Sequence, residues 1–185
     1  MVTNIKYIFI VILSFLFFSC NKQRDKELSY ILLFNPESSN VIEKSLILDS
    51  ILIKNYSNDS ILFSKYSNGR YIESFYFNSN GEFWEERIKG NDYGKFLGID
   101  SILTFSKKDT TFMYKSVREF IVLVPELSLA SCKYSILKEG NEFKTIKQSL
   151  VDTTYKEFFY YDKDYRIYKF VNTWKDNTCV YVKKY

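Results

Sequence analysis

The sequence predicts an all-β chain with at most a minor helical part, an antiparallel meander closing into a curved sheet, a barrel or a sandwich. Three observations carry this. Aromatic residues make up 19% of the chain, with 16 Tyr and 17 Phe, while alanine occurs once, at Ala130. Flat and β-branched side chains pack well on a pleated surface, and the best helix former is almost missing. Turn pairs then recur at short, regular intervals, at Asn58-Asp59, Asn68-Gly69 and Asn80-Gly81. Asn-Gly supplies the positive φ angles of a type I′ hairpin turn. Finally, residues 165–174 put Tyr165, Ile167, Lys169, Val171 and Thr173 on one face and Arg166, Tyr168, Phe170, Asn172 and Trp174 on the other. Neither face is cleanly polar, as a solvated sheet face would be, so the sheet must curve or close.

Taken in order, residues 30–34 read as a buried strand or the end of a short helix. Asn35-Pro36-Glu37 fits a helix start, with Asn35 as N-cap and Pro36 in the first turn, so residues 36–47 are the one helix candidate. Strands are expected at 51–56, 60–66, 71–77 and 82–88. Asp-Ser-Ile-Leu begins at Asp49, Asp59 and Asp100 and reads as a habit of strand starts rather than a repeat. The Tyr-rich strands with Asn-Gly turns faintly resemble MORN-type hairpin repeats. The spacing is irregular and that family's glycines are missing, so nothing is carried over from it. Residues 90–98, with three glycines, read as a loop joining two halves. Further strands are expected at 101–106, 111–114, 118–124 (ending at Pro125), 131–137, 143–151, 154–161, 165–174 and 179–185. Turns fall at Glu139-Gly140-Asn141, Asp162-Lys163-Asp164 and Lys175-Asp176-Asn177.

The first twenty residues set the chain's address. Lys6 precedes an apolar run over 8–18, broken only by Ser14, and Ser19-Cys20 ends it. That pattern is a secretory signal, too short for a spanning helix of roughly 20 apolar residues. Ser19-Cys20 resembles the lipobox of bacterial lipoproteins, with Phe17 and Phe18 where that family prefers Leu and a small residue. The resemblance covers only this stretch. It implies cleavage before Cys20, acylation of its thiol and amine, and membrane attachment, since each buried methylene contributes about 0.8 kcal/mol and several chains hold firmly. Residues 1–19 are then signal peptide, 20–29 the lipidated cysteine and polar tether, and 30–185 a single β-rich domain. Seven tether residues reach at most about 25 Å, which keeps the body at a bacterial envelope membrane, expected to be the outer membrane on its periplasmic or surface face.

Removing residues 1–19 leaves 166 residues, 25 of them Lys or Arg against 22 Asp or Glu, a net charge of +3. The charges are interspersed, which argues against a nucleic-acid partner. The chain has no histidine, which removes His-based triads, His general bases and most zinc sites. No Gly-rich phosphate loop or Cys-x-x-Cys is present, and no cofactor or metal is expected. Glu82 and Glu86 share a strand face with Trp84 between them, but at about 3.3 Å per residue they stand roughly 13 Å apart, beyond the about 5–9.5 Å of paired glycosidase carboxylates. Glu85 and Glu86 point to opposite faces. Asp162-Lys163-Asp164 lacks the remaining ligands of a calcium loop and reads as a turn. Catalysis is therefore not expected.

Cys132 and Cys179 remain after Cys20. An even pair in an exported protein either forms a disulfide or leaves two buried thiols. Trp84, Tyr71, Phe75, Tyr168, Phe170 and Trp174 read as core first and as a carbohydrate or lipid platform second. The functional expectation is a lipid-anchored, non-enzymatic binding or structural module with an envelope protein as partner. The alternative is a lipocalin-like or sandwich body that binds a small apolar or carbohydrate ligand. An integral outer-membrane barrel is disfavoured, because Lys169 and Arg166 put charge on both faces of the best candidate strand.

Overall fold

The computed structural model describes residues 27–40, 50–56, 59–67, 70–90, 96–115 and 131–183. Their strands are β1 (Glu27–Phe34), β2 (Ser50–Tyr56), β3 (Ser60–Ser67), β4 (Arg70–Ser79), β5 (Glu82–Gly90), β6 (Phe96–Phe105), β7 (Thr110–Tyr114), β8 (Cys132–Glu139), β9 (Glu142–Ser149), β10 (Lys156–Tyr161), β11 (Ile167–Trp174) and β12 (Asn177–Lys183). All twelve lie in one antiparallel sheet, ordered β6-β5-β4-β3-β2-β1-β12-β11-β10-β9-β8-β7. Two six-stranded meanders are thus joined through β1 and β12, in register from Leu32↔Lys183 to Phe34↔Tyr181. The sheet curls into a nearly closed barrel, while the mixed faces expected of residues 165–174 come from a bulge opposite Tyr160 and Tyr161, across which Ile167 and Phe170 both turn inward. Its two edges, β6 and β7, are consecutive strands linked by residues 106–109, and no ladder joins them.

Local chemistry explains the turns. Asn80 and Gly81 have φ of 56° and 79°, the type I′ geometry their sequence predicts. At the β11–β12 turn Lys175 takes φ 52° without a glycine, a conformation that non-Gly residues adopt at a cost. Four expectations need correction. Pro36–Ser38 form a single turn of 3-10 helix, with Glu37 N donating to Asn35 Oδ1 at 3.2 Å; residues 41–47 of that candidate lie outside the described residues, as do 118–124. The expected loop at 90–98 is strand at both ends, since β5 reaches Gly90 and β6 starts at Phe96, while 91–95 lie outside the described residues. Gly98 sits inside β6 at φ 137°, beside a register shift between Lys89 and Gly90; its freedom is used for a bulge rather than a loop. The Asp-Ser-Ile-Leu at Asp100 lies mid-strand in β6, not at a strand start, and what the three copies share is a buried isoleucine (Ile51, Ile61 and Ile102). Lastly, β1 begins at Glu27, so the last three residues expected in the tether are strand.

The interior is filled chiefly with aromatic rings. Phe63, Phe159 and Phe170 meet with centroids 4.9–5.3 Å apart. Phe105 touches Phe159, Tyr76 and Tyr161, and Phe34 reaches Tyr181 across the β1–β12 junction. Such edge-on pairs add about 0.5–1.5 kcal/mol each beyond the area they bury. A second, smaller cluster holds Ile102, Cys132, Tyr134 and Tyr155, with Phe112, Tyr114 and Trp174 packed against it.

Candidate functional site

Along β9 every second residue points inward, and the series runs Phe143, Thr145, Lys147, Ser149, all buried. The apolar interior therefore gives way to a polar one within a single strand. Register carries the change around the wall, for Tyr134 pairs with Lys147, Lys147 with Glu157, Glu157 with Asn172 and Asn172 with Cys179. From across the interior, β5 adds Glu85 and Arg87. Lys147 Nζ lies 3.0 Å from Glu85 Oε2, and Arg87 Nη2 lies 3.4 Å from the same oxygen. Arg87 also donates to Tyr134 Oη at 3.1 Å, and Lys147 to Tyr76 Oη at 3.5 Å. The Lys147 ammonium sits over the rings of Tyr76, Tyr134 and Phe159. Lys65, also buried, points in from β3 over Phe170.

The charges are fixed by their neighbours. Burial pushes the Glu85 carboxyl up, but Lys147 and Arg87 together outweigh it and hold the group below its ordinary value. Burial pushes Lys147 down, and Glu85 more than reverses this, so the ammonium stays protonated far into the alkaline range. Glu157 differs. Burial raises its pKa, and Lys147 and Lys65 oppose the rise without cancelling it; its Oε1 accepts from Tyr155 Oη at 3.4 Å. A general acid or base works best with a pKa near the operating pH. Lys147 and Glu85 are driven away from that range, so this pair is suited to hold structure or charge rather than to move protons. Among the described residues no group of three or more His, Cys, Asp or Glu is placed to hold a metal ion.

The wall is split in front of this cluster. β4 pairs with β3 from Arg70 to Phe77, and β5 pairs with β6 from Phe83 to Gly90. Between themselves β4 and β5 pair only from Tyr76↔Glu85 to Ser79↔Glu82. Beyond Tyr76 the strands part, with Arg87 engaged by Tyr134 on β8 and lying over the Tyr114 ring on β7. A cavity of 350 Å³ opens in the gap, lined by Glu73, Ser74, Phe75, Glu85, Glu86 and Ile99. Glu85, carrying its two cations, lies at the inner side, and Phe75 and Ile99 of the lining are more than half exposed, as is Tyr71 further along β4. A second, apolar cavity of 310 Å³ lies at the β6–β7 seam between Trp84, Leu103, Phe112, Met113 and Tyr114. There the Trp84 Nε1 is buried without a hydrogen-bond acceptor.

The structure divides the residues singled out from sequence. Cys20 lies outside the described residues. Cys132 is buried in the smaller cluster on β8, whereas Cys179 on β12 packs against the main one. The two sulfurs are not joined to each other, because β9, β10 and β11 separate their strands in the sheet; burial pushes the Cys132 thiol up to about 11. Glu85 and Glu86 do face opposite ways, and Glu82 accepts from Ser106 Oγ at 2.7 Å. Asp162 Oδ1 accepts from the backbone N–H groups of Asp164 and Arg166, the bonding of a turn. The six aromatics form no single platform. Phe170 is core, Trp174 donates to Asp152, and Tyr71 and Phe75 are exposed. Sequence reasoning missed Lys147, Arg87, Lys65 and Glu157. The available signal was phase, since Lys147 falls in step with Phe143 on a strand that must be buried on one side.

No known protein family, curated protein or solved structure matches the chain.

Proposed function

We propose that the protein is a lipid-anchored, non-enzymatic binding module of a bacterial envelope membrane, attached through Cys20, that grips an envelope protein at the split between β4 and β5. The observation that carries this reading is the split itself, where β4 and β5 part beyond Tyr76↔Glu85 and the exposed Tyr71 and Phe75 stand on the β4 edge. Exposed apolar groups beside open sheet edges mark interaction surfaces. The packed aromatic interior leaves the partner an outer site. A photoreactive phenylalanine analogue placed at Phe75 or Ile99 in living cells should yield one discrete crosslinked product, and the same analogue at Val151, on the β9–β10 connection, should not. Equal crosslinking from both places, or none from the split, would overturn the reading. The anchor has its own test. An alkyne fatty acid should label the wild-type protein and leave Cys20→Ala unlabelled.

The Trp84 indole favours a second reading, a small apolar ligand in the seam cavity that offers an acceptor to Nε1. In Trp174→Phe, where Trp84 is the sole tryptophan, a brominated fatty acid should then quench fluorescence saturably. A linear, unsaturable response would remove this reading.

A further inference from the structure

We infer that the split between β4 and β5 takes an extended segment of its partner as an added strand, with Lys or Arg at alternate positions of that segment facing outward. This rests on the reading of the chain as a protein-binding module and adds the conformation and charge of what it binds.

The backbone supplies the first argument. Residues 71–75 use one edge to pair with β3, and residues 86–90 use one edge to pair with β6. Their other edges face the gap and join no ladder among the described residues. Every strand residue carries a donor and an acceptor that must be bonded or wet, and an open edge is a template for another chain. Natural edges are usually blunted by lysine, proline or a bulge, yet residues 71–75 read Tyr-Ile-Glu-Ser-Phe, and on the facing edge Lys89 and the bulge at Lys89–Gly90 confine the open stretch to residues 86–88. Because β4 and β5 are antiparallel to each other, a strand between them runs antiparallel to one and parallel to the other. The cavity already open there provides room for its side chains.

Charge supplies the second argument. Extending the β4–β5 register past Tyr76↔Glu85 would set Glu86 opposite Phe75, and Ile88 opposite Glu73. Glu73 and Glu86 thus stand one outward position apart, on opposite sides of the gap, and both are exposed. Outward side chains of an added strand repeat every second residue, about 6.6–6.8 Å. Two cations at i and i+2 would meet one glutamate each, with their stems against Tyr71 and Phe75. Inward the sign reverses. Lys147, Arg87 and Lys65 lie behind the gap, with Glu85 engaged by the first two, so inward positions of the segment must be small or apolar. The site therefore selects alternation, not mere basicity.

The test measures fluorescence anisotropy with the full-length protein in detergent and a labelled peptide of about six residues alternating Lys and Thr. Saturable binding that weakens with salt is expected. A peptide of the same composition with its lysines in one block should bind about tenfold more weakly, a loss of about 1.4 kcal/mol. So should the alternating peptide with alternate amides N-methylated, which keeps its charge and loses ladder donors. Glu73→Lys with Glu86→Lys, both at exposed positions, should weaken binding at least as much, while Val151→Lys leaves it unchanged. Equal binding of the block or N-methylated peptide overturns strand addition. Equal binding of an alternating Glu and Thr peptide overturns the charge assignment. Failure of every peptide, with the crosslink from Phe75 still formed, rejects this mode of recognition alone; loss of both rejects the binding module with it.

Discussion

One interior is held together by two kinds of physics. Along β10, Tyr161 and Phe159 point into a packed set of rings, whereas Glu157, one inward step further, points into charge. β9 makes the same passage from Phe143 to Lys147. At the aromatic end the groups are large, buried and satisfied by contact; Tyr161 Oη donates to Ser106 O at 2.9 Å and accepts from Ser106 N. At the ionic end one carboxylate oxygen serves two cations, and Asn172 Oδ1 is buried with no hydrogen-bond partner. The wall parts beside the ions, between β4 and β5, and it is also open at the β6–β7 seam and along β1 before Leu32. Buried charge demands specific partners, and here Arg87 finds Tyr134 on β8 while β5 separates from β4.

The sharpest way to test this contrast is to remove one group from each end. Phe159→Ala deletes a ring that touches Phe63, Phe105 and Phe170 and should cost about 3–5 kcal/mol in urea denaturation, with little dependence on pH. Lys147→Met keeps the side chain's length and removes its charge. It should cost about 3 kcal/mol, the low end for a broken buried pair because Arg87 remains on the carboxylate. Glu85 has a lowered folded pKa, so the stability it contributes is present above the ordinary carboxylate range and is lost as pH falls through the folded value. The Lys147→Met deficit should therefore shrink in acid, while the Phe159→Ala deficit should not. A Lys147→Met variant as stable as wild type at neutral pH would erase the distinction between the ends. Third in size, Gly81→Val forces a β-branched residue to φ 79°. That turn abuts the aromatic end, where Tyr165 Oη donates to Gly81 O, and the strain should cost about 1–3 kcal/mol at every pH.

The aromatic end was legible and the ionic end was not, for a physical reason. Hairpin turns and apolar alternation are local, so Asn80-Gly81 and the strands from Ile51 onward could be read directly. The mixed faces of residues 165–174 reflect a bulge that turns both Ile167 and Phe170 inward, not closure itself. An ion pair between Lys147 and Glu85, 62 residues apart, depends on which strands face each other across a curled sheet, and no local pattern encodes that. Glu85 was seen to oppose Glu86, but not which of the two turns inward. Gly98 misled because a glycine in a bulge and a glycine in a loop have the same propensity.

The smallest effect expected is also the one that separates the two inward-facing carboxylates. Glu157 faces Lys147 from β9, Lys65 from β3, Glu85 from β5 and Tyr155 next to β10, and its folded pKa is raised, burial being the largest cause. Between its ordinary value of 4.5 and the raised folded value, the folded protein keeps a proton that the unfolded chain has released. Stability contributed by this group is thus full below the ordinary value and declines as pH rises through the folded one, opposite in sign to Glu85. Glu157→Gln keeps the shape and removes the titration. It should leave stability near wild type in acid and raise it at neutral pH, read as a shift in the urea midpoint with an unchanged slope. A lower midpoint for Glu157→Gln at neutral pH would mean that Lys65 and Lys147 need the Glu157 charge more than burial penalises it.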